Sequence, residues 1–232
     1  MKEREKAICL FSGGLDSSTV LYWALREGYD VVALSIYYGQ THEKEIECSK
    51  HILAPLNIKQ HTVRFNLAWG GSALTDKNID IPKDRNDSVM ASEIPATYVP
   101  ARNTIFLSMA TSLAEVENAG TILIGANAID YSGYPDCRPD YLNAFEKVAE
   151  LGTKRGIEGN PFKIAAPLLK LSKKEIVELA VALGVPLKKT WSCYVGGDRP
   201  CGKCDSCQLR AKGFEEAGVK DPALVDVISG NC

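Results

Sequence analysis

Residues 10 to 18 read Leu10-Phe11-Ser12-Gly13-Gly14-Leu15-Asp16-Ser17-Ser18, an apolar strand that runs straight into a double-glycine turn and then a helix. A buried strand followed at once by a helix is the first half of a βαβ unit, which commits the chain to an α/β fold with a parallel sheet. The turn also carries chemistry. Without a Cβ at Gly13 and Gly14, backbone N–H groups approach an anion closely, and the helix that follows points its positive end at the same spot. The hydroxyls of Ser12, Ser17 and Ser18 add donors at the rim. A triphosphate fits this cradle. The lysine of G-x-x-x-x-G-K-[ST] is missing and the spacing is not G-x-G-x-x-G, so neither of those nucleotide loops is present.

Strand and helix signals alternate through the first two thirds of the chain. Val31 to Ile36 reads as a second strand, Thr41 to Leu56 as an amphipathic helix with Ile46, Ile52 and Leu53 inward, and Lys59 to Val63 as a third strand. Residues 66–100 are rich in Gly, Pro, Asn and Asp and longer than an ordinary connection, the profile of a lid or substrate loop. Asn103 to Asn118 is a further helix, and Thr121 to Gly125 a short strand whose end lies where open α/β sheets bind ligands. Ser172 and Glu175 form a capping box for a helix that runs to Gly184, where Val185-Pro186 stops it. The expected architecture is a doubly wound parallel sheet over residues 1–185, followed by a small zinc-binding helical segment at 186–232.

With 232 residues and 45% hydrophobic content the chain can bury a full core. A formal charge of −2 gives no overall electrostatic case for a polyanionic partner such as tRNA. No apolar run approaches the ~20 residues of a membrane helix, and the expectation is a cytoplasmic protein. Eight cysteines fit a reducing compartment because half sit at metal spacing. Cys193, Cys201, Cys204 and Cys207 form C-x7-C-x2-C-x2-C, with Gly196-Gly197 and Pro200-Cys201-Gly202 to turn the chain. Four thiolates suit a closed structural zinc site tying the helix from Asp205 to the loop after Trp191. An iron–sulfur cluster or a redox pair takes the same ligands. Cys9, Cys48 and Cys232 read as ordinary thiols, and His42, His51 and His61 lack metal spacing.

Three further places read as site residues. Asp130-Tyr131-Ser132-Gly133-Tyr134-Pro135-Asp136-Cys137-Arg138 is a polar run beyond the fourth strand. Its aspartates, tyrosines and arginine suit the edges of a polar heterocycle and its carboxylate, although the same sequence is also a good turn. Arg102 opens the helix that contains Asn103 and can grip phosphate or carboxylate through two parallel hydrogen bonds. Tyr38 and Gly39 follow the second strand, where nucleotide contacts occur. Asp16 reads as a holder of Mg²⁺ or of the phosphate loop, with a plain N-cap as the alternative.

The S-G-G-x-D-S loop resembles that of the PP-loop ATP pyrophosphatases, such as GMP synthetase, NAD synthetase and the tRNA thiolation enzymes. That resemblance implies a grip on the leaving pyrophosphate, with the α-phosphorus open to attack. More specifically, the segments at 11–18, 37–40, 98–103 and 130–138, together with the four tail cysteines, resemble the 7-cyano-7-deazaguanine synthase family. The resemblance implies a ligase that uses ATP to convert 7-carboxy-7-deazaguanine and ammonia to the nitrile preQ0, in queuosine biosynthesis. It implies ATP contacts from Phe11 through Ser18 with Tyr38 and Gly39, and catalytic roles for Asp16 and Arg102. The substrate would meet Asn103, Asp130, Ser132, Tyr134, Asp136 and Arg138. Zn²⁺ would be structural, Mg²⁺ would accompany ATP, no nucleic acid or membrane would be bound, and the protein would be a homodimer. Other readings are a tRNA-thiolating sulfur transferase, another amide-forming synthetase of this superfamily, and a zinc-ribbon binding module with a degenerate loop. Many relatives place Gly where this chain has Ala101, a small-for-small difference.

Overall fold

The computed structural model describes residues 4–86, 93–127 and 134–225. Five parallel strands form one sheet in the order β3-β2-β1-β4-β5. They are β1 Lys6–Leu10, β2 Asp30–Tyr37, β3 Gln60–Arg64, β4 Thr121–Leu123 and β5 Lys163–Ala165. Central β1 pairs Ile8 with Val32 on one side and with Ile122 on the other. The order therefore reverses at β1, and a crevice opens beyond the carboxyl ends of β1 and β4.

Strand alternation builds two cores. Ile8, Leu10, Val32, Leu34 and Ile122 face one side, and Ala7, Cys9, Phe11, Val31, Ala33 and Leu123 the other. The first face is covered by α3 (Arg102–Val116) and α4 (Pro139–Gly152) through Leu107, Ala110, Leu142 and Phe145. The second is covered by α1 (Leu15–Arg26), by Ile52 and Leu53 of α2 (Lys44–Leu53), by α5 (Lys173–Ala182) and by Phe214 of α6 (Asp205–Glu216). Each fully buried aliphatic side chain contributes about 1.5–3 kcal/mol, so the doubly covered sheet is the rigid platform of the molecule.

Local signals place most of these elements. The Ser172–Glu175 capping box is formed in both directions and starts α5 at Lys173. Helix α2 begins three residues later than the hydrophobic pattern indicates, and its last turn tightens into a 3-10 turn at Ala54–Leu56. Two of the elements named above have no counterpart in the sequence reading, α4 and β5. The second is only three residues long, and it pairs with β4 at Ile122↔Ile164.

The 66–86 stretch is anchored: Leu67, Ala73 and Leu74 are buried, and Asp84 N–H donates to the carbonyl of Lys203 at 2.8 Å. Residues after 186 share the main core through Leu187 and Phe214. Ala101 has φ +55°, a left-handed conformation. The exchange with Gly is therefore not merely one small side chain for another, since an L-residue pays for that conformation and Gly does not.

Candidate active site

The crevice at the end of β1 is a cavity of about 300 Å³, at the lower end of the range for ligand pockets. Its floor is the phosphate loop. Gly13 has φ +88°, and a Cβ there would stand 2.6 Å from the Glu45 carbonyl oxygen and the Ser49 nitrogen. Only glycine lets this turn lie against α2. On the other side Gly125 follows β4, and a Cβ on it would come within 3.2 Å of the Ser17 nitrogen. The two contacts fix the head of α1 at the crevice. Gly14 N–H donates to the Ser12 hydroxyl at 3.2 Å, and the Ser12 and Ser17 hydroxyls lie 3.1 Å apart.

Phe11, Ser12, Gly14, Leu15, Asp16, Ser17, Tyr38, Arg102, Asn103 and Tyr134 all line this cavity. Gly13 shapes the loop from behind. Ser18 is fully buried and its hydroxyl has no hydrogen-bond partner among the described residues, so it is not a rim donor. Gly39 lies in the turn after β2 against Asn66. Asp136 is buried behind the wall, where its carboxylate accepts from the Asn103 backbone N–H at 3.0 Å and orders the start of α3. Arg138 is exposed at the N-cap of α4. Asp130 and Ser132 lie outside the described residues.

Arg102 donates to the Tyr38 hydroxyl at 3.3 Å, with its guanidinium 5.6 Å from that ring. Burial lowers its pKa, but the Tyr38 and Tyr134 phenols more than restore it, so the cation is held protonated. Asp16 does not cap α1, whose N-cap is Gly14. Both its oxygens accept from Lys173 Nζ at 2.9 Å. Cys137 lines the wall 3.2 Å from the Asn103 side-chain amide. Burial pushes its thiol up to about 11, so it is a neutral wall group at neutral pH.

Sequence reasoning missed Lys173, Glu45, Arg210, Trp191, Ser192 and Tyr194, all of which line the cavity. Buried Arg210 is bidentate to Asp221 at 2.6 and 2.9 Å and donates to the Thr190 hydroxyl at 2.9 Å. Trp191 N–H donates to the Gly13 carbonyl at 3.1 Å, so the C-terminal segment is bonded to the phosphate loop.

That segment also carries the cysteines. The sulfurs of Cys193, Cys201, Cys204 and Cys207 lie within 4.8 Å of one another. A tetrahedral ion with bonds of about 2.3 Å needs sulfurs about 3.8 Å apart, a small contraction. Backbone N–H groups of Cys201 and Cys204 point at the sulfurs of Cys193 and Cys201, at 3.3 and 3.4 Å. Such donors suit thiolates. The four residues fit a closed metal site, and Trp191 Nε1 donates to the Cys193 carbonyl at 2.9 Å, linking it to the phosphate loop.

The family model described as "Queuosine biosynthesis protein QueC" matches residues 6–218. The chain belongs to the QueC family. A 7-cyano-7-deazaguanine synthase of Trichodesmium erythraeum (strain IMS101) is 55% identical over 221 residues, covering 94% of this chain and 100% of that protein. Another of Nostoc sp. (strain PCC 7120 / SAG 25.82 / UTEX 2576) is 54% identical, covering 97% of this chain and 99% of that protein. The QueC match runs from β1 through α6, so it takes in the phosphate loop, Arg102, Lys173 and all four cysteines. Among the described residues of this QueC member no helix is long and apolar enough to cross a membrane.

Proposed function

We propose that this chain is an ATP-dependent 7-cyano-7-deazaguanine synthase, converting 7-carboxy-7-deazaguanine and ammonia to preQ0. A single observation supports it most: the glycine turn at the head of α1, Lys173 and Arg102 surround one cavity, in a chain 55% identical to a synthase of that name. A carboxylate is a poor electrophile because its charge repels nucleophiles and its oxygens leave badly. Attack of a carboxylate oxygen on the α-phosphorus of ATP forms an acyl adenylate and releases pyrophosphate. Ammonia then displaces AMP to give the amide. A second activation, of the amide oxygen, allows that oxygen to leave with AMP and two protons to be lost, which yields the nitrile.

The residues divide the work by charge and shape. Backbone N–H groups at the start of α1, with the Ser12 and Ser17 hydroxyls, receive the pyrophosphate. Lys173 adds a cation there, and Asp16 holds it in place. Arg102 takes the substrate carboxylate or the α-phosphate on the opposite wall. Tyr134 offers a flat face to the heterocycle, and Asp136 positions Asn103. Mg²⁺ enters with ATP, whose phosphates are its ordinary ligands. Zn²⁺ at Cys193, Cys201, Cys204 and Cys207 has no open position and serves structure, holding the 191–194 wall. The formal charge of −2 and the small-molecule cavity support a cytoplasmic enzyme that works without nucleic acid or membrane, and the homodimer rests on the family resemblance.

Mass spectrometry of the products tests the proposal. Nitrile is expected when the acid, ammonium and ATP are all supplied, and no product from that mixture contradicts it.

A further inference from the structure

Glu45 of α2 is a carboxylate that the reaction as described does not use. Its Oε1 lies 4.0 Å from the point a Cβ on Gly14 would occupy, so it stands beside the phosphate loop. It lines the main cavity, yet it takes no hydrogen bond or ion pair among the described residues. It also lines a second cavity of about 50 Å³, with Gln40, Thr41, His42, Leu74 and Cys193. Tyr38, Glu45, Arg102 and Tyr194 belong to both walls, so the two spaces adjoin at the carboxylate.

Size decides what the smaller space can take. About 10–15 Å³ on the same measure holds one water, so 50 Å³ admits a few water-sized molecules and excludes a nucleotide or a fused heterocycle. The reaction has one substrate of that size. In neutral water it is ammonium, which has no free electron pair and must lose a proton before it can attack. Burial pushes Glu45 up to about 7, with Arg102 pulling the other way, which suits a proton acceptor at neutral pH. The other titratable groups around it are Tyr38, His42, Cys193 and Tyr194 at the smaller cavity and Asp16, Tyr134, Cys137, Lys173 and Arg210 across the larger one.

We propose that the smaller cavity is the ammonium site and that Glu45 accepts the proton whose removal frees ammonia for attack. This deepens the preceding reading of the substrate and rests on it. Ammonium gives one proton to the Glu45 carboxylate. The freed electron pair forms the C–N bond to the acyl carbon. The bond from that carbon to the adenylate oxygen breaks, and AMP leaves with its electrons. The surplus proton on nitrogen passes to the departing phosphate.

The test uses the full chain and its Glu45→Gln variant at neutral pH. Adenylation is read as acid-dependent exchange of pyrophosphate into ATP. Transfer is read with ammonium and, separately, with hydroxylamine, which is already neutral and needs no base to expose its pair. In Glu45→Gln, ammonium-dependent turnover is expected to fall about 100-fold. Exchange and hydroxamate formation are expected to stay within about twofold of the unsubstituted chain. The proposal is overturned if ammonium turnover is retained, if exchange falls in parallel, which assigns Glu45 to ATP and its metal, or if both nucleophiles lose equally. Should Glu45→Gln prove unfolded by gel filtration, Glu45→Asp replaces it. A rise in KM confined to ammonium supports the proposal, and equal changes for both nucleophiles overturn it. If the unsubstituted chain shows no exchange with this acid, the substrate reading fails first and the ammonium site falls with it.

Discussion

Lys173 donates from one ammonium to both carboxylate oxygens of Asp16 at 2.9 Å, joining the first residue of α5 to the first turn of α1. A cation at one helix start opposes that helix's dipole, and an anion at the other favours its own. Together they place a restrained positive group at the mouth of the phosphate loop. That cation comes from 157 positions away in the sequence.

Lys173→Met is expected to lower acid-dependent pyrophosphate exchange by about 100-fold, the effect of removing one preorganised donor from developing charge. Asp16→Asn is expected to abolish turnover while far-ultraviolet circular dichroism remains unchanged. The double variant is expected to lose less than the product of the two single effects, because the residues act as a unit.

Cys204→Ser is expected to release the metal, read by a zinc-sensitive dye, and to lower unfolding stability by several kcal/mol. Because Trp191 bonds both the Cys193 carbonyl and the Gly13 carbonyl, ATP binding is expected to weaken as well. A stable, metal-free and fully active variant contradicts the structural role.

Ala101→Gly is expected to raise stability by about 0.5–1 kcal/mol, since the native φ of +55° is unfavourable for alanine. Chemical denaturation at fixed pH measures it. A loss of stability contradicts the left-handed assignment.

Stability depends on pH through Glu45. Its pKa rises from 4.5 unfolded to about 7 folded, so the folded state binds its proton more tightly. The contribution is present in full below 4.5 and is lost as pH rises towards 7. Glu45→Gln, which never ionises, is therefore expected to gain melting temperature relative to the unsubstituted chain above neutral pH and to lose that advantage in acid. A constant difference across the range contradicts the raised pKa.

Much of this was legible in the sequence because the relevant contacts are local. Strand, Gly13-Gly14 turn and α1 follow one another directly, the capping box lies within four residues, and three of the cysteines fall within seven. What was not legible depends on the crossing of distant elements. Lys173 reads as an ordinary helix-start residue until α5 packs beside α1. Glu45 reads as part of a charged helix face until Gly13 brings the loop against α2. Lys163–Ala165 is too short to show a period and becomes a strand only because β4 offers it an edge. The turn composition around Asp136 signalled a binding segment, whereas its buried carboxylate supports α3 from behind.

The central claim is that the cavity activates a carboxylate by joining it to AMP. It is tested most directly with substrate whose carboxylate oxygens carry a heavy isotope, followed by mass spectrometry of the nucleotide and phosphate released during amide formation. One labelled oxygen is expected in AMP. Label in inorganic phosphate, with AMP unlabelled, would contradict the grip on pyrophosphate at the head of α1.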